Sequence, residues 1–512
     1  MSGNSMMKTK YLQHMIILFI LFECKGLLCQ HLPYFKQKIL QIEGQVFDIY
    51  LRDLNGDSHL DILVVHNKSQ FPNPHVDRYI SIFFKEKGLF PDRPAQTLTV
   101  DHGEILFDIG DLDGDAIPEL VFLTRDGIYV RKHTPAGYSQ SLQPVLKVSS
   151  VFLAHDPFNL HRWSFIRDLD GNTAPEFLIP RSHELRIYSK RPNIGYDLTQ
   201  RFGTSPEFSL SSGQGLTSSL QLPTFCLQDF NGDSIQDLLA LSEDRLDVYL
   251  LHPGDSSGFT IPLIPPNLKY RMGSRNMNPS ALESLAPGSS IVETQDLNAD
   301  GLVDIILSKS SRASFTTNIS QLQIFMNKNR RFDILPDQIL TAENFGGEHI
   351  IRDFNRDGLL DIALLRFKIG FAQAIKFLLT KKAGNSYDCY FMRPNFTYPN
   401  KPDARLSFSR KVKIDDILGS GLCQSFDGDF NGDGLFDLLL GTDSDEFTVY
   451  PGSPGAFFTK KSSFKIHVPI SSHLRIGDIN EDGFSDIILW YPQNTTRSHQ
   501  FLLIRSEKGP SQ

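Results

Sequence analysis

The sequence predicts an all-β protein built as a single β-propeller of eight blades. Three observations predict this architecture. A nine-residue polar motif recurs eight times along the 512 residues, at a mean interval of about 61 residues. Short strand-like segments flank each copy, and no stretch sustains the 3.6-residue period of an amphipathic helix. Because a small sheet cannot bury both of its faces alone, such units are expected to stack around a common axis.

The motif reads Asp, an apolar residue, Asn or Asp, any residue, Asp or Asn, three further residues, and a closing Asp or Glu. Apolar residues at position two and directly after the motif predict that a core anchors the loop at both ends. Each copy has Gly at position four or six, as with Gly56 and Gly301, and we interpret these as two solutions of one turn. The copies occupy residues 53–61, 111–119, 168–176, 229–237, 296–304, 353–361, 429–437 and 478–486.

The segments around each motif predict a hairpin with the motif at its turn, followed by one or two further strands. In the first unit, residues 47–51 lead into the motif and residues 62–65 form a buried apolar run after it. Residues 79–84 then alternate with the two-residue period of a half-buried strand. The other units repeat this order, and in the sixth unit the alternating segment is expected at residues 375–379.

The two ends of the chain predict how the ring closes. Only 26 residues follow Asp486, which is enough for two strands of the last blade. Residues 31–44 are therefore expected to supply its missing strand. Seven blades with one displaced unit, and an open solenoid, are the alternatives to this arrangement.

The carboxylates of the motif predict a binding loop for a hard divalent cation. Side-chain oxygens at positions one, three and five converge on one hollow, as in an EF-hand, but the closing carboxylate at position nine instead of twelve excludes an EF-hand. Asn172 replaces a carboxylate at position five, so the third site is expected to be unequal to the others. The predicted ligands are Asp53, Asn55, Asp57, Asp61, Asp111, Asp113, Asp115, Glu119, Asp168, Asp170, Asn172, Glu176, Asp229, Asn231, Asp233, Asp237, Asp296, Asn298, Asp300, Asp304, Asp353, Asn355, Asp357, Asp361, Asp429, Asn431, Asp433, Asp437, Asp478, Asn480, Asp482 and Asp486.

The distribution of charge supports a cation. The formal net charge is −8, yet beyond residue 29 and outside the ligand positions the chain has 48 basic and 33 acidic residues. The acidity is therefore concentrated in the loops, where clustered carboxylates repel one another unless a cation or protonation neutralises them.

These motifs resemble the FG-GAP or VCBS repeats, the calcium-loop blades of integrin α-subunit propellers and of many bacterial secreted proteins. Residues 229–237 (DFNGDSIQD) and 429–437 (DFNGDGLFD) are similar to near-ideal copies, and the similarity extends over essentially all of residues 31–512. The resemblance implies Ca²⁺ in up to eight sites, held by the ligands above in hairpin loops on one face. Without a membrane anchor or legs region, an integrin subunit is not expected.

The first 29 residues predict a secretory signal peptide followed by the propeller at residues 30–512. Lys8 and Lys10 precede an apolar run at residues 15–22 that is too short to span a membrane. A buried or anchoring N-terminal helix is the alternative, and lipidation at Cys29 has little support. We expect a secreted, extracellular, periplasmic or cell-envelope location.

Of the cysteines beyond the leader, Cys389 and Cys423 flank one long insertion and are expected either to pair or, with Cys226, to remain isolated core thiols.

No catalytic motif is recognised, so we do not expect an enzyme. Residues 254–258 match Gly-x-Ser-x-Gly but lie in a polar turn instead of the strand-to-helix turn that a nucleophile needs. The first hypothesis is a calcium-binding scaffold for protein interaction or adhesion. The alternative is a carbohydrate-directed propeller, either a lectin or a calcium-dependent polysaccharide lyase. Trp163 and Trp490 are expected to pack in the core instead of serving as sugar platforms.

The partner, protein or glycan, is not identified by the sequence. The insertion between Thr380 and Gln424 is the first candidate for a partner surface, because functional loops exceed about 12–15 residues more often than structural ones. An ordinary outer pair of strands is its alternative, and residues 252–288 are a second candidate. We expect a monomer with no nucleic-acid partner and no transmembrane span.

Overall fold

The computed structural model describes residues 34–69, 76–204, 206–211, 215–220, 222–242, 245–250, 265–271, 291–312, 318–343, 345–367, 380, 382–411, 424–462, 464–471 and 473–507. These residues form eight blade sheets arranged as a β-propeller, and no helical element occurs among them. Seven of the sheets have four antiparallel strands, and the sheet of the second blade has a fifth, parallel strand. The all-β, eight-bladed prediction is therefore confirmed. We number the blades in chain order and name their strands a to d in order of pairing.

The first four blades follow one another directly along the chain. Blade 1 consists of Gln45–Arg52, Asp61–Ser69, Val76–Phe83 and Gln96–Val100; blade 2 of Glu104–Gly110, Glu119–Thr124, Gly127–Arg131 and Gln143–Lys147; blade 3 of Ile166–Arg167, Glu176–Pro180, Glu184–Arg191 and Gly195–Gly203; blade 4 of Thr224–Gln228, Asp237–Ser242, Arg245–Tyr249 and Leu268–Arg271. A short strand, His161–Arg162, lies parallel to strand 2a.

The remaining blades repeat the pattern, and the last one borrows a strand. Blade 5 consists of Ile291–Gln295, Asp304–Arg312, Asn318–Phe325 and Gln338–Glu343; blade 6 of Phe345–Arg352, Asp361–Phe367, Lys382–Tyr390 and Ala404–Lys411; blade 7 of Gln424–Gly428, Asp437–Asp443, Glu446–Tyr450 and Phe464–His467; blade 8 of Leu474–Gly477, Asp486–Trp490, Gln500–Glu507 and Tyr34–Gln41. Small hairpins are formed by His133–Thr134 with Gly137–Tyr138, Pro206–Ser211 with Gly215–Leu220, and Gly452–Ser453 with Phe457–Phe458.

The N-terminal strand closes the ring as the sequence predicted. Tyr34–Gln41 pairs antiparallel with Gln500–Glu507, so blade 8 joins the two ends of the described chain. Hydrophobic clusters fill the interfaces between successive blades all the way round, including blade 8 with blade 1. Because this core has no free end, the arrangement is a closed ring and the open solenoid is excluded.

The loop anchors predicted at both ends of the motif are buried in all eight blades. Position two contributes Leu54, Leu112, Leu169, Phe230, Leu297, Phe354, Phe430 and Ile479, and the residue after the motif contributes Ile62, Leu120, Phe177, Leu238, Ile305, Ile362, Leu438 and Ile487. Each loop is therefore fixed to the core where it leaves strand a and where it enters strand b.

The prediction for the third strand of blade 6 was wrong. That strand is Lys382–Tyr390, and residues 375–379 lie outside the described part of the chain. Much of the insertion between Thr380 and Gln424 thus forms strands 6c and 6d, with Tyr387 and Tyr398 buried. The described part of this insertion is an ordinary outer strand pair, and only Phe396 among its aromatic side chains is largely exposed.

Several other predictions fall wholly or partly outside the described residues. Residues 1–29, residues 254–258, most of residues 252–288, and Cys423 are among them. Cys389 is buried in the core between blades 6 and 7, and its pairing with Cys423 stays a prediction. Trp490 is buried as predicted, and Trp163 packs partly buried against the core of blades 2 to 4. No helix in the described part of the chain is long and apolar enough to cross a membrane.

Candidate metal loops

The eight motif loops all lie on one face of the ring, because each joins strand a to strand b of its blade. Neighbouring loops are hydrogen-bonded to each other in several places. The Ser485 N–H donates to the Asp429 carbonyl at 2.8 Å, and the Leu360 N–H donates to the Leu297 carbonyl at 2.9 Å. Between the last and first blades, Glu481 contacts Lys85 at 2.8 Å. These contacts link some of the neighbouring loops, and we call the eight motif loops together the belt.

The carboxylate at position one organises the backbone of its own loop. In the first loop, Asp53 accepts the N–H of Gly56 at 2.7 Å and of Ser58 at 2.7 Å. The bond from the position-six N–H recurs in all eight loops, between 2.6 and 2.9 Å. Such a turn folds around one carboxylate without any bound ion.

Positions four and six both have positive φ in every loop, which corrects the interpretation of their glycines as alternative solutions. Seven loops therefore hold one non-glycine residue in the left-handed region. Thr173, at φ 69°, is the β-branched example, and Arg356 and Glu481 have φ of 62° and 65°. A β-branched residue is rare in this conformation and is strained by it. Seven loops thus share the backbone of the seventh loop, which has glycine at both positions, at the cost of one strained residue each.

The closing carboxylate at position nine is buried in all eight loops, with exposed fractions of 0 to 3%. One oxygen accepts the N–H of position two in every copy, at 2.8 to 3.1 Å. In five loops the other oxygen accepts an N–H at or just beyond the end of strand c, as Asp437 does from Gly452 at 2.8 Å. This residue thus connects the loop with two strands.

Burial disfavours the ionised form of the closing carboxyls and so raises their pKa. It raises the pKa of Asp61 to about 6, and that of Asp304, Asp361, Asp437 and Asp486 to about 7. Burial is also the main cause that raises the pKa of Glu119 and Glu176, and the charges of Asp113 and Asp170 raise them further. A carboxylate buried among others is stabilised when a positive charge is placed beside it.

Two loops bring three carboxylates together. Asp111, Asp113 and Asp115 in the second loop, and Asp168, Asp170 and Glu176 in the third, offer oxygens that all lie within 4.8 Å of one another. These are the two loops with Asp at position three and Glu at position nine. In the third, Oε1 of Glu176 is buried and has no hydrogen-bond partner among the described residues. In the second, Lys132 contacts Asp113 at 2.7 Å and supplies part of the missing positive charge.

The other six loops have Asn at position three and are arranged differently. In each, the Asn amide donates to the carboxylate at position five, at 2.9 to 3.2 Å. The structure therefore places all predicted ligands within their own loops, while it gathers three carboxylates only in the second and third among the described residues. Sequence reasoning expected the third site to be unequal because of Asn172, and it overlooked the gain from Asp170 with the longer Glu176.

The donor set fits a hard cation. Every predicted ligand offers an oxygen, and the sulfur or imidazole ligands that soft or borderline metals prefer are absent from the predicted ligand set. The acidic groups of the second and third loops could bind a metal ion. The unpartnered Glu176 oxygen in the third is the kind of acceptor that a cation satisfies.

Comparison with known proteins bears on the last two blades. Residues 429–489, from the seventh loop through strand 8b, match the family model described as an FG-GAP-like repeat. This segment is an FG-GAP-like repeat. The eight-blade arrangement around it agrees with the resemblance found in the sequence. No curated protein matches the chain in sequence.

Several solved structures resemble the chain distantly. An Agrocybe aegerita lectin, studied for recognition of non-reducing terminal N-acetylglucosamine, has a TM-score of 0.36 and 13% identity, covering 72% of this chain and 86% of that chain. BBS1N in complex with ARL6DN has a TM-score of 0.35 and 9% identity, covering 92% of this chain and 95% of that chain. The V. cholerae biofilm matrix protein Bap1 has a TM-score of 0.31 and 11% identity, covering 91% of this chain and 88% of that chain. At such TM-scores none of them supports an inference about function.

Proposed function

We propose that the protein is an exported calcium-binding β-propeller that acts as a non-catalytic scaffold for protein interaction or adhesion. The observation that carries the proposal is the closing carboxylate, which is buried in all eight loops on one face of the ring. Eight buried acidic groups at matching positions have a common explanation if each loop binds a cation.

Calcium is the cation that we infer. Carboxylate, amide and backbone oxygens suit Ca²⁺ and Mg²⁺, and Ca²⁺ takes six to eight oxygens in irregular geometry, which short flexible loops can supply. FG-GAP repeats also often bind calcium, and residues 429–489 are such a repeat. The side chains at positions one, three, five and nine would hold the ion, which would supply positive charge and crosslink strands a, b and c.

A scaffold function follows from what the ion does in such a loop. It would neutralise repelling carboxylates and stabilise the folded state, which is a structural role. Because each loop is also anchored in the core at both ends, the belt is then a rigid surface of the kind that binding proteins use. Export, which rests on residues 1–29, is part of the proposal because calcium at millimolar concentration is available outside the cytoplasm.

The test is a calcium titration followed by capture of partners. We expect isothermal titration calorimetry of the metal-free chain to detect several Ca²⁺ ions per molecule, with weaker binding of Mg²⁺. The same chain immobilised in calcium should retain binding proteins or glycans that a chelator releases. Turnover of a polysaccharide by the calcium-loaded protein would instead favour a lyase.

A further inference from the structure

We propose that a cavity on the face opposite the motif loops binds a neutral oligosaccharide. The cavity has a volume of about 840 Å³ and lies where blades 8, 1 and 2 meet. Gln45 and Arg475, near the starts of strands 1a and 8a, line it together with Trp490 at the end of strand 8b. Since the motif loops are at the other ends of these strands, the cavity opens away from them. Its volume is within the range of about 300–1,000 Å³ typical of small-ligand sites.

An exposed aromatic ring stands at the rim of this cavity on a rigid turn. Phe158 is 57% exposed, although its backbone is held from both sides. Its N–H donates to Asp156 Oδ1 at 2.8 Å, and its carbonyl accepts Nδ2 of Asn67 at 2.8 Å. The same turn is tied to Arg78, which is 1% exposed and donates to the Asn159 carbonyl at 3.3 Å. A ring presented on such a fixed backbone loses little entropy on stacking against a sugar.

The charged groups of the cavity are already paired, which favours an uncharged ligand. Asp48 contacts Arg475 at 3.1 Å and also accepts the Tyr50 hydroxyl at 2.8 Å. The Arg475 guanidinium lies 5.3 Å from the centre of a Trp490 ring. His473 also faces the cavity, and burial lowers its pKa, which favours the uncharged imidazole. An anion or a metal ion would find no unbalanced charge here.

The remaining polar lining consists of side-chain amides and of His161, whose Nε2 contacts Asp156 Oδ2 at 2.9 Å. Gln45, Asn67, Asn159 and Gln493 contribute the amides, and an amide can both donate and accept hydrogen bonds. Nε2 of Gln45 already donates to the Pro492 carbonyl and Nδ2 of Asn67 to the Phe158 carbonyl, so these two residues offer their oxygens as acceptors. Such groups match the hydroxyls of a sugar, which also donate and accept. An aromatic platform beside a set of amides is therefore the combination that recognises a neutral polyhydroxylated ligand.

This inference deepens the proposed scaffold function, because it names the partner class for one surface. Calcium would not touch the sugar, since the loops are on the other face. It would act only by holding blades 8, 1 and 2 in place.

The test is binding of the full calcium-loaded chain to an array of neutral oligosaccharides of two to five units, followed by calorimetry with the strongest hit. Phe158→Ala should weaken binding up to about tenfold, by removal of the stacking surface. Gln493→Ala, at an exposed position of the lining, should also weaken it. Phe396→Ala is the matched control, because Phe396 is 46% exposed on blade 6, and it should leave the affinity unchanged.

Three outcomes would overturn the inference: no neutral glycan bound, binding of acidic glycans alone, or equal affinity in Phe158→Ala and the wild type. A melting temperature measured with and without calcium on the same samples separates this failure from that of the proposed function. If calcium stabilises the chain but no glycan binds, only the cavity assignment fails. If glycan binds but calcium has no effect, only the calcium proposal fails.

Discussion

The second and third loops differ from the other six in having Asp instead of Asn at position three and Glu instead of Asp at position nine. The side chain at position three decides how many carboxylates of the loop remain unpaired. An Asn there donates its amide to the position-five carboxylate, as Asn231 does to Asp233 at 2.9 Å. Asp113 and Asp170 cannot donate when ionised, and their loops gather three carboxylates within 4.8 Å. Loops with the same backbone conformation thus fall into two classes. In one class an amide of the loop pairs with a carboxylate, and in the other the clustered carboxylates need a positive charge.

The largest expected effect comes from removing divalent cations from the whole belt. A site filled at 100 times its Kd stabilises the fold by about 2.7 kcal/mol, so several sites together should lower Tm by more than about 10 °C when a chelator empties them. Differential scanning calorimetry with and without chelator measures this. Re-addition of Ca²⁺ should restore Tm. A Tm that changes neither with the chelator nor with added Ca²⁺ would contradict calcium binding.

The comparison between loops is sharpest at position nine. Burial and the charge of Asp170 raise the pKa of Glu176 to about 8, so at pH 7 without calcium the fold must hold this carboxyl largely protonated, which costs free energy. Glu176→Gln removes that cost and should stabilise the calcium-free fold by about 1–2 kcal/mol. With calcium it removes a ligand and should destabilise the fold. The sign of its effect on the free energy of unfolding is thus expected to reverse with calcium, which denaturant unfolding in both conditions measures.

Asp437→Asn is the matched control from the seventh loop. Both Asp437 oxygens accept backbone N–H groups, from Phe430 and Gly452 at 2.8 Å each. In the Asn variant the side-chain NH₂ faces one of these backbone N–H groups, so two donors meet without an acceptor. This should destabilise the fold by about 1–3 kcal/mol with or without calcium. If Glu176→Gln and Asp437→Asn behave alike in the absence of calcium, the two classes of loop are not distinct.

A smaller effect is expected from emptying one loop. Asp433→Ala removes the position-five carboxylate of the seventh loop, and it should weaken one calcium site while leaving the others nearly intact, because blades couple mainly to their neighbours. Calorimetric titration should show one site fewer. The bond between Ser485 and Asp429 makes the eighth loop the neighbour to respond first. Loss of all calcium binding would show that the belt acts as one unit.

The smallest effect concerns backbone strain, which both classes of loop share. Thr173 has φ 69°, so Thr173→Gly should stabilise by about 1 kcal/mol despite the added freedom of the unfolded chain. Gly432→Ala should do the opposite, because its Cβ would lie 2.8 Å from the Phe484 ring. Thermal unfolding of both variants measures the changes in stability. If the two changes had the same sign, positive φ would not be what determines the preferred residue at these positions.

Much of the fold was predictable because the repeat encodes it locally. The motif fixes where strand a ends and strand b begins, and the strand expected from residues 31–44 is the one that pairs with Gln500–Glu507. Strand 6c escaped prediction because the polar segment Lys382–Tyr390 has weak alternation and its pairing with Asp361–Phe367 decides its position. Local sequence patterns do not predict a strand whose position is determined by its pairing with a neighbouring strand.

The sequence identified the polar side chains of each motif loop, but not how the loop arranges them. Spacing identified the position-nine carboxylate, but its burial and its bonds to strand c depend on packing between elements distant in sequence. The positive φ at both positions four and six could have been suspected from the two glycines of the seventh loop, Gly432 and Gly434. The cavity beside Phe158 had no sequence signal, since its lining comes from three blades.

Native mass spectrometry of the full chain in millimolar calcium tests the central claim most directly. The account predicts several Ca²⁺ ions per molecule, and the ion of the third loop should be lost in Glu176→Gln. A chain that stays free of metal under these conditions, with its folded charge-state distribution intact, would contradict it.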